Sequence, residues 1–375
     1  MNAPFPAERR PDAIVIGAGL HGCSAAFHLA GHGLKALVLE QAYPGRHASG
    51  VNAGGVRTLG RLFPEVPLSL ASIEMWHRLP EIVGDDCSFT ASGQVKVAES
   101  DADMEVLRQR VAKLHELGFS HEELVDAREL RELLPAVAPH CVGGVVVRRD
   151  GNAVPFRAVT GFRRAAERLG AEFRSDFRVE RVERAGEIWR VSGPAGSAEA
   201  PLLAVCAGAW GDQISAQVGE PVPLNPEVPM LLITERVAPF LTPVVGSVSR
   251  KLSFKQFENG TVLIGGGYRG IPDRDHQRTT LRPENLAANV VAACALFPLM
   301  KNIRIIRAWG GLEGMMPDAM PVLGPSRKAP GLVYDFGSSA HGFEMGPING
   351  KIVADLLATG TTDQPIEAFA VDRFH

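Results

Sequence analysis

What the 375-residue chain lacks narrows the field first. Its five cysteines (Cys23, Cys87, Cys141, Cys206, Cys294) are scattered, odd in number and never in a C-x-x-C arrangement, which argues against a disulfide frame or a zinc centre. They read as small buried hydrophobes in a reducing compartment. With 39 Lys and Arg against 42 Asp and Glu, the net charge is −3 and both signs are mixed, so no basic stripe invites nucleic acid. Residues 1–10 carry no apolar run behind their charges, unlike a signal peptide. No stretch is long enough to span a bilayer, and the cytoplasm is the expected setting. The histidines have no metal-ligand spacing, and internal repeats, low-complexity tracts and flexible linkers are missing.

What is present begins with Asp12-Ala-Ile-Val-Ile-Gly-Ala-Gly-Leu-His-Gly22, an apolar strand running into Gly17, Gly19 and Gly22 and then a helix of small residues. A second strand, Lys35-Ala-Leu-Val-Leu-Glu40, ends in an acid. Gly17 permits the tight turn, Gly19 lets backbone approach a pyrophosphate, Gly22 allows close helix–strand packing, and Glu40 can accept hydrogen bonds from a ribose. The helix start adds unpaired N–H groups and partial positive charge. Strand, glycines, helix, strand and acid in order predict a dinucleotide site. An NAD-dependent dehydrogenase shares this fingerprint and is the alternative that the purified protein's colour would separate.

The length suggests two domains. The stretch Pro44-Gly-Arg-His-Ala-Ser-Gly-Val-Asn-Ala-Gly-Gly-Val-Arg57 is poor in helix or central-strand character and suited to lie close against a ligand. Helices are predicted over 68–79, 102–119 and 157–169, and strands over 94–98, 143–148, 172–182, 188–192, 202–206 and 230–237. A hairpin over 252–266 turns at Glu258-Asn-Gly260. A further helix over 348–357 is expected to start at Pro347. The pattern divides the chain into a Rossmann-like α/β domain (1–75, 150–222 and 305–375) and an inserted, largely antiparallel β-sheet domain (76–149 and 223–304).

These residues, taken with Gly151-Asn-Ala-Val-Pro155, Ala207-Gly-Ala-Trp210, Pro317-Asp318 and His341-Gly-Phe343 before Gly346-Pro347, resemble the D-amino-acid oxidase superfamily of FAD enzymes, in its glycine oxidase and sarcosine oxidase branch. The resemblance spans nearly the whole chain and extends to the flavin subunits of opine and hydroxyproline dehydrogenases. It implies FAD, held non-covalently, because Met315, Met316 and Asn52 stand where relatives carry covalent anchors. It implies oxidation of an amino-acid C–N bond by hydride transfer from the α-carbon to flavin N5, giving an imine that water hydrolyses.

Carried over by residue, the resemblance places Gly17, Gly19, Leu20, His21 and Gly22 at the pyrophosphate and Glu40 with Gln41 at the ribose. Ser49, Asn52, Ala53, Gly54 and Gly55 lie along the flavin, Val179 near the adenine, and Ala207, Gly208 and Trp210 against the cofactor. Gly342, Phe343, Glu344 and Met345 line the pyrimidine edge. Arg57 matches an arginine of the sarcosine oxidase pattern and is the candidate for the substrate carboxylate, with Arg61 a second choice; a surface or phosphate-pairing arginine is the other reading. Glu313 replaces an arginine of the glycine oxidase pattern, pointing to a cationic or cyclic substrate. His341 is the one histidine placed in the site, in a structural role beside the flavin, while His47 and the other histidines outside the first helix read as surface or loop residues. The strand 262–266 lacks the family's oxygen-activating lysine, and Lys255 stands upstream of it. Electron transfer to a partner subunit is therefore open, as is a non-catalytic assembly role.

Overall fold

The computed structural model describes residues 10–374; the segment read above against a signal peptide lies, but for Arg10, outside them. The apolar strands Ala13–Ile16 and Ala36–Leu39 are buried at every position. That is the signature of a parallel sheet covered on both faces. The six-stranded sheet runs Val322–Pro325, Leu332–Phe336, Leu202–Val205, Ala13–Ile16, Ala36–Leu39, Glu172–Arg174. Val15 pairs with Val38 on one side and Ala204 on the other, in parallel, and only the 322–325 edge strand runs antiparallel. On one face the helix Leu20–Gly31 packs against Pro155–Arg168 and against Gly342–Thr359.

The second sheet has eight strands: Ile305–Gly310, Met230–Arg236, Thr261–Gly265, Ser253–Gln256, Val244–Ser247, Gln94–Ala98, Gly143–Val147, Glu123–Asp126. Alternation sorts its side chains. Val95, Leu232, Val245, Phe254, Val262 and Ile264 face a core completed by Leu296 and Phe297. Gln94, Lys96, Val244, Ser253 and Leu231 take the opposite face and wall a cavity against the first sheet.

Three features differ from the sequence pattern. The strand Ile305–Gly310, counted above with the α/β domain, pairs with Met230–Arg236 at the edge of the eight-stranded sheet. The stretch 172–182 is no continuous strand: Glu172–Arg174 joins the first sheet, whereas Arg181–Ala185 starts a separate three-stranded sheet. The last helix begins at Gly342, with Pro347 inside it. Proline within a helix forgoes one backbone bond, and here the segment is held from outside, its Pro347 carbonyl accepting from Ser24 Oγ at 3.0 Å.

The same helix carries a buried ion pair. Arg61 Nη2 donates to Glu344 Oε2 at 2.8 Å, Ser69 Oγ donates to the same oxygen at 2.9 Å, and the Glu344 carbonyl accepts from Trp76 Nε1. Burial pushes the Glu344 carboxyl up against these donors. Removing one partner of such a pair leaves an uncompensated buried charge. Arg61→Met is expected to cost about 3–5 kcal/mol, read as a lower urea midpoint of unfolding.

Candidate functional site

The cavity between the sheets has a volume of about 900 Å³. Its first wall is the loop after the strand Ala13–Ile16. The helix starting at Leu20 has no side-chain cap of its own at Gly19, so its first N–H groups stay open toward the cavity apart from Leu20 N, which donates to Ser49 Oγ at 3.0 Å. An uncapped 12-residue helix with glycine at its mouth is suited to phosphate oxygens. Glu40 accepts from Ala18 N and Ala42 N, both at 2.9 Å, one on each carboxylate oxygen. It thus fastens the loop while keeping lone pairs free on the cavity side.

Of the residues expected at the cofactor, Gly17, Gly19, His21, Glu40, Gln41, Ser49, Asn52, Ala53, Gly55, Val179, Ala207, Gly208, Trp210, Gly342 and Phe343 line the cavity. Leu20, Gly22 and Gly54 are not on its lining; a Cβ on Gly22 or Gly54 would meet a backbone oxygen at 1.9 or 2.2 Å. His21 is fixed at both ring nitrogens, by Asp335 Oδ2 at 2.8 Å and the Gly342 carbonyl at 2.7 Å, tying the first helix to the last. Burial opposes its charge, but Asp335 outweighs this and its pKa is raised.

Other expected residues turn away. Glu344 points into the Arg61 pair, Met345 packs in the core among the helices, and Arg61 is fully buried. His341 Nδ1 pairs with Glu65 Oε2 at 2.8 Å, and burial lowers its pKa to about 4, so it is a neutral strut outside the cavity. Glu344 and Met345 belong to the helix's inward face: because the helix begins at Gly342, only its first two residues reach the cavity.

Arg57 does line the cavity. Its Nη1 donates to the Leu59 carbonyl at 2.6 Å, which leaves Nε and Nη2 unassigned. The loop that carries it is held by two buried acids invisible to motif reading. Asp150 accepts from Thr58 N, Thr58 Oγ1 and Leu59 N, and Glu122 accepts from Gly60 N. Glu313 also lines the cavity, but one of its oxygens accepts from Ala340 N at 2.8 Å, and burial raises its pKa.

Three further residues stand at or near the cavity. His47, expected on the surface, lines the cavity against the Trp210 ring at a centroid distance of 5.2 Å. Its Nε2 is buried without a partner, and burial lowers its pKa to about 4. Lys96 lines the opposite wall. Lys255 pairs in register with Leu263 across the hairpin, and cross-strand partners share a face. It therefore reaches the face from which the strand 262–266 was read as lacking a lysine. Its Nζ lies 3.3 Å from Asn152 Oδ1, and a methyl on Gly54 would stand 3.1 Å away. Burial lowers its ammonium to about 7. A lysine of pKa about 10 in the unfolded chain then binds more protons than the folded one between pH ~7 and ~10, so folding stability rises with pH across that window. Urea midpoints at the two ends should show the rise, and Lys255→Met should flatten it.

An open helix start beside a glycine turn, an acid at the end of the second strand and an imidazole nitrogen without a partner on the same cavity fit a bound dinucleotide. With the second sheet closing the cavity, they make the site of a protein that binds a dinucleotide between two sheets. The chain belongs to the family of FAD-dependent oxidoreductases, whose model matches residues 12–356. It is 27% identical to the beta subunit of the sarcosine oxidase of Rhizobium meliloti, covering 98% of this chain and 91% of that protein, and 26% identical to a subunit of the opine oxidase of Agrobacterium tumefaciens, covering 97% and 98%. The solved L-proline dehydrogenase of P. horikoshii superposes with a TM-score of 0.90 at 25% identity, over 97% of this chain and 98% of that one. The protein is an FAD-dependent amine or amino-acid oxidoreductase of the sarcosine oxidase-like kind. The nicotinamide alternative falls with that assignment. No helix among the described residues is long and apolar enough to cross a membrane, and none of their His, Cys, Asp and Glu side chains form a group able to hold a metal ion.

Proposed function

We propose that this chain oxidises the C–N bond of a secondary, N-substituted or cyclic amino acid to an imine, which water then hydrolyses. The observation that carries this is Arg57, a guanidinium on the cavity wall whose loop is fixed by buried Asp150 and Glu122. FAD, when bound, supplies the acceptor for the hydride that leaves the α-carbon. The protein's share is placement. Arg57 holds the carboxylate in a two-point grip, and the start of the helix Gly342–Thr359 brings partial positive charge to the cavity. No described histidine is set as a base in the cavity: burial keeps His47 neutral with a low pKa, and His21 is locked. The reading therefore has the amine bind uncharged. The similarity to an L-proline dehydrogenase and to sarcosine oxidase supports a cyclic or secondary amine.

Anaerobic addition of N-alkyl and cyclic amino acids to the yellow protein is expected to bleach it. If every amino acid leaves the colour intact, the alternative of a non-catalytic assembly subunit gains. The similar sarcosine and opine oxidase chains are named as subunits, which supports a partner subunit as electron acceptor here. Direct use of oxygen is a second reading, favoured by the buried Lys255 amine beside Gly54. Reoxidation in air separates them, being fast in the second case and slow in the first. FAD should be non-covalent: after acid precipitation the yellow colour is expected in the supernatant, and colour in the pellet would refute this.

A further inference from the structure

Two cations on the cavity wall, Arg57 and Lys96, make no direct ion pair. A methyl group placed on Gly60 would stand 3.7 Å from Arg57 Nη1 and 4.0 Å from Lys96 Nζ, so the guanidinium and the ammonium approach one point. Each neighbouring acid is hydrogen-bonded to another group, so Glu65, Asp150 and Glu344 act on Arg57, and Glu122 on Lys96, only from a distance. Glu122 takes Arg110 through Nε and Nη2 and also Gly60 N; Asp150 takes Thr58 and Leu59; Glu344 takes Arg61; Glu65 takes His341. His121, 3.9 Å from Glu122, is pushed toward its neutral form by burial. Among the described residues neither Arg57 nor Lys96 makes an ion pair. Elsewhere on the cavity Arg250 is bound by Glu99 and Arg269 by Glu227. Glu313 is no counter-ion, since its charged neighbours are Arg269 and Glu227.

Like charges drawn together in a partly buried wall raise the free energy of the empty site. Burial and the Arg57 charge accordingly lower the Lys96 pKa. One carboxylate would neutralise only one of the two cations.

We propose that Lys96 and Arg57 form a paired anion clamp, and that the substrate is an amino acid bearing a second carboxylate, on its nitrogen substituent or its side chain. Arg57 takes the α-carboxylate and Lys96 the other. The inference rests on the oxidation reading above for the word substrate, and on the cavity charges alone for the clamp. It reverses the expectation of a cationic substrate that Glu313 raised, because the unpaired charges on this wall are positive.

The test compares molecules differing only by that carboxylate. N-(1-carboxyethyl)glycine against N-ethylglycine probes the nitrogen substituent, and N-methylaspartate against N-methylalanine the side chain. Anaerobic bleaching by wild-type holoenzyme should favour the diacid of at least one pair roughly 10- to 100-fold in rate over dissociation constant, the span of one charge-assisted hydrogen bond. Lys96→Gln should collapse that ratio and Lys96→Arg restore most of it, whereas a merely structural lysine would lower both members of a pair alike. Binding of unreactive glutarate and butyrate, followed by their perturbation of the flavin spectrum, gives a readout free of turnover. Tighter glutarate binding that Lys96→Gln removes supports the clamp even if nothing bleaches the flavin, an outcome that would sink only the oxidation reading. Equal binding of the two acids overturns the clamp.

Discussion

Replacing Gly22 by valine should yield a folded, colourless protein. A Cβ at Gly22 would lie 1.9 Å from the Gly17 carbonyl oxygen and 3.4 Å from Cys206 Cβ. Gly17 cannot retreat, because it holds φ at +101° and has the Cys206 carbonyl 2.4 Å from where its own Cβ would be. The clash is therefore with the Gly17 backbone, which the Cys206 carbonyl backs, and it can be relieved only by shifting the helix start. That shift breaks the aim of the N–H groups at the pyrophosphate. Overpacking of this kind costs 1–3 kcal/mol or more, and once the loop no longer grips the phosphates the FAD dissociation constant should rise about 100-fold or more. The ratio of protein to flavin absorbance after purification measures it. Gly31→Ala is the control: nothing lies within 4 Å of its Cβ, so this variant, at the other end of the same helix, should keep its full flavin. A Gly22→Val protein as yellow as wild type would mean that the loop does not hold the cofactor.

The parts of this architecture legible in sequence are those written in local chemistry. The phosphate loop, the 94–98 strand and the hairpin at Glu258-Asn-Gly260 each carry their signal within a dozen residues, and each forms where its pattern places it. Other residues at and behind the cavity are written differently. Lys96 sits in an alternating strand whose inward and outward faces are equivalent until the sheet is docked, so nothing in Gln94-Val-Lys-Val-Ala98 distinguishes it from a solvated lysine. Lys255 reaches its place by cross-strand register, a relation between two strands. His47 looks like a loop histidine until Trp210, from a distant turn, closes over it. Asp150 and Glu122 act on backbone N–H groups about 60 to 90 residues away, as the sequence separations of their bonds show. Pro347 misleads for a related reason: a helix start is the cheapest place for proline, but contacts from Ser24, Ser72 and Trp76 hold the segment helical on both sides of it.

Arg57 is where these two kinds of information meet, and its loss should be the largest purely kinetic effect in the protein. Its position behind the flavin-side glycines is local; its environment is not. Burial and the nearby Arg61 lower its pKa, while Glu65, Asp150 and Glu344 act in the opposite sense. A guanidinium retains its charge at working pH and presents a planar fork to a carboxylate, so removing it leaves the substrate's carboxylate in a poorly solvated cavity with no partner there except Lys96. Truncating one side of a buried charge pair costs about 2–5 kcal/mol, which puts the fall in kcat/KM for Arg57→Met at about 30- to 5000-fold. Arg57→Lys should recover only part, because an ammonium is a point charge without the fork. Flavin content should stay at wild-type level in both variants, since Arg57 lies beyond the glycines and its one assigned side-chain bond is to its own loop at Leu59. An Arg57→Met enzyme with full flavin and unchanged kcat/KM would remove the carboxylate grip from this site and move substrate recognition to the Glu313 side of the cavity.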